Sequence, residues 1–539
     1  MGGAGQDRRG SVFEPVSAAL PGLGAQTVQP LKNKHTTKGK IMRDQISHYI
    51  RAGYSGLYLV SHEEQRVEAE IKAVATGLQH GLFAWSITEG LIDIKKGTVR
   101  ECNDPMEVLN AVTELPDDSI LLLRDFHQFF DDPNPVLIRR LKDQLRESRT
   151  TGKTLVVLGC RINLPPELER EFTVIDIALP GSDELNTVLK GIAESREQPM
   201  PKPETIAELL DAARGMTTTE AENAFALSVV EYGELNATLI AREKAQAVKK
   251  NGILELIEAK ETLEDIGGLD QLKDWLLKRK EAFSPRARKY GLPMPKGLMI
   301  MGISGTGKSL TAKATSAVLG VPLLKLDAGR IFAGLVGQSE SNLRSVIQTA
   351  EAIAPVVLWI DELEKGFSGS KSSGATDGGT SARVFGSLIS WLQEKTAPVF
   401  VVATANDVSQ LPPEMLRKGR WDELFFVDLP NRDEREMIWG IQIAKHGRDT
   451  RQFDLAQLSK STDGLTGAEI EQVFIDAMYR AFAEEEEPSD FTVGEVLVDF
   501  VPLSKLMAEQ ITGLRQWAKG RARNATTQPS ERKLRRIAA

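Results

Sequence analysis

One octapeptide, Gly302-Ile303-Ser304-Gly305-Thr306-Gly307-Lys308-Ser309, narrows the possible folds more than any other stretch of the 539-residue chain. It fits G-x-x-x-x-G-K-[ST] and follows an apolar run, Leu298-Met299-Ile300-Met301, that reads as a buried strand. Leu310-Thr311-Ala312-Lys313-Ala314 then reads as a helix start. In that setting the glycines let successive N–H groups curl around phosphates, Lys308 reaches the β and γ phosphates, and Ser309 offers a hydroxyl to Mg²⁺. The bland alternative is a Gly/Ser linker with a chance Lys-Ser. The flanking strand and helix count against it.

At this length one core is too few, and about 150 residues per domain gives three or four units. No run of 18 apolar residues is present, so no membrane insertion is expected. Residues 1–10 lack an apolar signal region, and Gln6 occupies the Ser/Thr position of a myristoylation signal. The expected location is the cytoplasm, or the plastid stroma for an organellar chain. Two cysteines and six scattered histidines exclude a disulfide framework and a zinc cluster. A net charge of -8 argues against a chain-wide nucleic-acid surface.

Residues 1–40 have no apolar periodicity and read as a disordered lead-in. Between 41 and 180, short apolar runs at 56–60, 82–85, 120–123, 154–158 and 173–177 alternate with helical patterns, which indicates a parallel α/β sheet. Residues 181–250 read as helical and lid-like. The same grammar returns in 251–430, with strands expected at 298–301, 322–326, 356–360, 399–404 and 424–428, then helices through a second lid, 431–500. A C-terminal helix and basic tail, 501–539, complete the chain. Leu164-Pro165-Pro166-Glu167 answers Leu411-Pro412-Pro413-Glu414, each just after a fourth strand, so the fold expected is a tandem pair of P-loop NTPase-like α/β modules. The first has Ser61-His62-Glu63-Glu64-Gln65-Arg66 where a P-loop would stand. No glycine or lysine serves a phosphate there, and two carboxylates repel one. Its third strand ends in Arg124-Asp125-Phe126, read as a surviving metal-type Asp beside a Phe.

In the second half, Val356-Val357-Leu358-Trp359-Ile360 runs into Asp361-Glu362. Two carboxylates at a strand end beside a P-loop give Asp361 as the Mg²⁺-side ligand and Glu362 as the residue that polarises the attacking water. Asn406 stands just beyond the next strand, where an amide can orient that water or touch the γ-phosphate.

Residues 261–483 resemble the AAA module of the AAA+ ATPases. Asp265-Ile266-Gly267-Gly268-Leu269 resembles that family's adenine-side lead-in, with Ile266 and Gly267 at the base. Residues 302–309, continued by Leu310, match its Walker A, Asp361-Glu362 its Walker B, and Asn406 its sensor 1. Leu416 to Asp422 is similar to the second region of homology, which implies that Arg417 and Arg420 are arginine fingers reaching a neighbouring subunit's nucleotide. The resemblance implies ATP and Mg²⁺ as cofactors, a homo-oligomeric ring, usually a hexamer, and remodelling of a protein partner. A nucleotide-gated scaffold and a nucleic-acid motor are the alternatives. The degenerate first half, Asp361 to Lys365 and Ser390 to Lys395 together resemble the cyanobacterial and plastid AAA family long carried as a hypothetical chloroplast reading frame.

Two departures qualify this. The candidate pore loop, Leu335-Val336-Gly337, has an aliphatic residue where unfoldases carry an aromatic, which counts against forceful threading. Gly467-Ala468-Glu469 supplies no sensor 2 arginine. The Gly/Ser-rich segment 366–380 reads equally as a connector or a substrate-contacting loop. The tail from Arg515 onward carries eight basic residues that could meet nucleic acid or an acidic protein.

Overall fold

The computed structural model describes residues 38–132, 134–196, 199–250, 252–332, 338–367, 378–417 and 419–527. The described residues build two seven-stranded sheets. The first contains β1 (Gly56–Val60), β2 (Gly81–Ser86), β3 (Gly90–Asp93), β4 (Thr98–Arg100), β5 (Ser119–Arg124), β6 (Thr154–Gly159) and β7 (Thr173–Asp176), in the order β4-β3-β2-β5-β6-β1-β7. The second contains β8 (Leu254–Ile257), β9 (Gly297–Gly302), β10 (Leu323–Asp327), β11 (Val356–Asp361), β12 (Val399–Ala405), β13 (Glu423–Val427) and β14 (Arg523–Asn524), in the order β14-β13-β9-β12-β11-β10-β8.

Read from opposite edges, both sheets hold the same five-strand core. β2, β5, β6, β1 and β7 answer β10, β11, β12, β9 and β13, and every pairing within each set is parallel. Strands such as β6, β9 and β12 are buried along their full length because helices cover both faces. In the second sheet, one face packs Leu358, Val401 and Phe385 and the other Ile300, Val402 and Trp275.

Four strands lie beyond the sequence expectation. β3 and β4 extend the first sheet as an antiparallel hairpin, β8 pairs antiparallel with β10, and β14 joins β13. These are short or edge pieces with little apolar run, so periodicity gave no signal. The Ala/Lys-rich segment at 241–250 lies in a helix, Ala237–Lys250. Each sheet is followed by helices with their own core, one around Leu189, Phe225 and Ile240, the other around Trp439, Phe474 and Val493.

Part of the basic tail is engaged within the chain. Residues 508–518 form a helix, and Ala525 then accepts from Gln271 N and Leu272 N at 3.0 and 3.1 Å. Arg515 pairs with Asp428 at 2.8 Å, and Arg523 donates to Gln271 at 2.8 Å and lies 3.8 Å from Glu423. These two arginines are therefore engaged with the second sheet's own acidic and amide groups. Arg532, Lys533, Arg535 and Arg536 lie outside the described residues, as do the candidate pore loop 335–337 and residues 368–377 of the Gly/Ser-rich segment.

Candidate nucleotide site

β9 sits where chain order reverses across the sheet, between β12 and β13. Parallel α/β sheets form their ligand crevice at such a point, at the carboxyl ends of the strands. A cavity of about 980 Å³ opens there, lined by Ser304 to Leu310, Asp361, Glu362, Thr404 and Asn406 on one side. Ile266, Gly267, Ile438 and Ile441 contribute an apolar slot on the other.

Backbone geometry shapes both walls. Gly302 (φ +152°) closes β9, and a Cβ there would stand 2.0 Å from Val427 O. Gly302 and buried Ile303 support the loop from below and do not line the cavity. At Gly305 (φ +78°) a Cβ would meet Thr466 Oγ1 at 2.9 Å, and at Gly267 it would meet Ile438 at 2.4 Å. The first glycine lets the following lid helix, Gly467–Ala483, dock on the loop, where Ala468 N donates to Gly305 O at 3.0 Å. The second keeps the slot open.

Lys308 opens the helix Lys308–Leu319 and is 6% exposed. Its ammonium donates to Gly302 O at 3.0 Å and Ile303 O at 2.6 Å, folded back onto the loop. Burial pushes its pKa down to about 8, against the pull of Glu364, Asp361 and Glu362. A buried cation whose proton partners are carbonyls, facing a glycine-lined cavity, is suited to a polyanion.

The carboxylates form one bonded network across β11 and β12. Register sets Ile360 beside Ala403, so Asp361 faces Thr404. Thr404 Oγ1 donates to Asp361 Oδ1 at 2.7 Å and accepts from Glu362 N at 3.1 Å. Lys325 Nζ lies 3.2 Å from Asp361 Oδ2. Glu362 takes φ +48°, a left-handed conformation costly for a side chain and concentrated at functional sites. Asn406 Nδ2 donates to Glu362 Oε1 at 3.4 Å, Asn406 N donates to Glu364 Oε1 at 3.0 Å, and Lys365 pairs with Glu362. Burial raises the Glu364 carboxyl, whose second oxygen is buried with no hydrogen-bond partner among the described residues. Thr404, Glu364 and Lys325 escaped sequence reasoning. The strand register that brings Thr404 to Asp361 was the one available signal.

Arg417 and Arg420 do not line this cavity. The chain returns from the end of β12 to the start of β13, so they stand towards the opposite end of the sheet. Arg417 is exposed, Arg420 donates to Glu414 O, and buried Trp421 anchors the turn through Met415 O at 2.8 Å.

The first sheet's counterpart differs residue by residue. Val60 faces Gly159 as Met301 faces Ala405, which equates those positions. Residues 302–307 then lead to the helix at Lys308, whereas only 61–63 lead to the helix Glu64–Leu78, leaving no room for a phosphate loop. By the same register Arg124 stands at Asp361's place and Asp125, at φ +53°, at Glu362's. This corrects the sequence reading of Asp125 as the metal-type residue. The charges are exchanged: Glu64 replaces Lys308, and Arg124 pairs with Glu64 at 3.4 Å and with Glu68 and Glu89. Glu63 accepts from Thr218 N at 2.6 Å, so a carboxylate holds the helix Thr218–Tyr232 where a loop carbonyl holds its counterpart.

Three family models match the chain. Residues 42–177 match the SpoVK-like AAA ATPase, N-terminal domain, and residues 183–251 its second domain. Residues 298–429 match the ATPase family associated with various cellular activities (AAA). The uncharacterized AAA domain-containing protein ycf46 of Pyropia yezoensis is 39% identical over 485 residues, 88% of this chain and 98% of that protein. That of Guillardia theta is 38% identical over 479 residues, covering 87% and 93%. The ATP-dependent zinc metalloprotease FtsH of Methylibium petroleiphilum is 31% identical over 259 residues, 47% of this chain and 40% of that protein. Among the described residues no helix is long and apolar enough to cross a membrane. Similarity of this extent to the ycf46 proteins, on a two-sheet α/β fold with a P-loop between β9 and its helix, shows that the chain belongs to the AAA ATPase family.

Proposed function

We propose that this chain binds ATP in the cavity beside β9, hydrolyses it in a ring of identical subunits, probing one another's nucleotide through Arg417 and Arg420, and uses the cycle to remodel a protein partner. The carrying observation is the Lys308 ammonium, buried against a glycine loop and facing the bonded set Asp361, Thr404, Glu362 and Asn406. Ser309 and Asp361 would hold Mg²⁺, a fit consistent with a hydroxyl and a carboxylate lining one cavity. When bound, the ion neutralises charge on the β and γ phosphates.

The remaining chemistry belongs to side chains. Ile266, Gly267 and Ile438 receive the base, while Lys308 and the N–H groups of residues 304–309 receive the phosphates. Glu362 polarises the attacking water, and Asn406, bonded to Glu362, reports the γ-phosphate. Thr404 fixes Asp361 and Glu362 relative to each other. Arg417 and Arg420 stand away from their own cavity, which supports action on a neighbour's nucleotide, a contact worth about 10³ to 10⁵ in rate.

The test is Glu362→Gln, held with ATP and recovered with its bound proteins. Loss of turnover with ATP retained and a protein partner captured supports the reading; undiminished hydrolysis overturns it. A second reading, a nucleotide-gated scaffold with the first sheet as docking surface, is favoured by the self-paired charges at Arg124. Failure of the protein to unfold a tagged substrate, with ATP-dependent partner binding intact, would select it.

A further inference from the structure

The chain has two cysteines, and they live in different surroundings. Cys102 is 2% exposed, and burial pushes its thiol up. Cys160 is exposed at the end of β6, with its Sγ 3.7 Å from His127 Nε2. His127 is itself 2% exposed, and its Nδ1 has no hydrogen-bond partner among the described residues. That nitrogen lies 3.9 Å from Asp125 Oδ1. Carboxylate, imidazole and thiol thus stand in a row that ends at the surface.

The row occupies the positions of the other sheet's polar cluster. In the register above, Asp125 answers Glu362, His127 answers Glu364, and Cys160 answers Asn406. Gly159 makes the placement possible, since a Cβ there would stand 2.5 Å from His127 Nδ1. Asn163 Nδ2 donates to His127 O at 3.0 Å, which fixes the imidazole's backbone. The other groups facing the pair are Tyr58, which donates to Arg161 O at 2.6 Å, and the Arg161–Asp131 ion pair at 2.6 Å.

We propose that Cys160 is a nucleophilic thiol served by His127 and positioned by Asp125, and that it takes low-molecular-weight disulfides of the glutathione class. Sγ attacks one sulfur of the disulfide as its proton passes to His127 Nε2. The new bond is Cys160 Sγ–S, the disulfide's own S–S bond breaks, and the departing thiolate takes the proton from the imidazolium. No further oxidant is required. Burial lowers the His127 pKa, which favours the neutral imidazole with a free lone pair, and Asp125 acts against that shift. Asp125 supplies the counter-charge while the imidazolium lasts.

The test uses the full chain and glutathione disulfide at pH 7, followed by intact mass and peptide mapping. One adduct is expected, on Cys160, with its rate lowered on the order of tenfold by His127→Gln. Because His127 is buried, a second variant guards against misfolding: Asp125 is exposed, and Asp125→Asn should slow the reaction roughly threefold, with Asp125→Glu restoring it. An adduct on Cys102, no adduct, or wild-type rates in both His127→Gln and Asp125→Asn would overturn the proposal.

Discussion

Lys308 carries its charge in a confined place, and that has a measurable pH dependence. Only the ammonium form attracts phosphate, and in the nucleotide-free protein its pKa is about 8. Below that pH the charge is present and ATP should bind at full strength. Above it each bound ATP must bring a proton with it, so affinity falls by up to about tenfold per pH unit. Calorimetry at pH 7 and pH 9 should show the weaker binding at pH 9 together with proton uptake. Lys308→Ala should abolish both binding and this dependence. At Glu362 the expected effect separates binding from chemistry: Glu362→Gln should keep ATP affinity and lose at least about 100-fold in turnover, as removal of a general base requires. A radiolabelled steady-state assay beside an equilibrium binding measurement distinguishes the two.

At the scale of elements, β14 and its flanking residues tie the tail to the second sheet. Truncation after residue 522 removes the Ala525 bonds to Gln271, Leu272 and Phe426 and the 2.7 Å bond from Thr527 N to Asp270. At about 1 kcal/mol each, the loss is roughly 3 to 4 kcal/mol, or about 6 to 16 °C in the unfolding midpoint of a module this size. An unchanged midpoint by calorimetry would show that this edge contributes nothing. The tail also illustrates what was legible. Core strands announce themselves as unbroken apolar runs because both faces are buried, so β9, β11 and β12 were readable to within a residue or so. Arg523 and Asn524 carry no such run; their pairing is decided by the neighbouring edge of β13, a tertiary fact. Chemistry behaved likewise. The glycine-rich loop between β9 and its helix is local in sequence and legible there, whereas Thr404 owes its place to strand register. The offset at Arg124-Asp125 arose because the motif was matched by residue type, while the shared left-handed backbone at Asp125 and Glu362 sets the true correspondence.

At the scale of the whole molecule, contacts among the described residues tie edge strand β7 and the loop after the helix Pro203–Ala213 to the helix Gln338–Ile353 and the residue that follows it. Arg214 Nη1 donates to Ala354 O at 3.2 Å, and Arg344 pairs with Asp176 at 3.3 Å. The first sheet's counterpart of the nucleotide site is closed by internal charge pairs. In the function proposed above, ATP is hydrolysed at a site shared between subunits. On that proposal Lys308→Ala should fail to hold ATP while keeping its arginines, and Arg420→Ala should bind ATP while offering its neighbour no finger. Each alone should be inactive. The most direct measurement is ATPase activity on mixing the two and allowing subunits to exchange. Recovery of a fraction of wild-type activity, peaking near equal proportions, is the expected result. Wild-type turnover by Arg420→Ala alone, or no recovery in mixed assemblies, would contradict it.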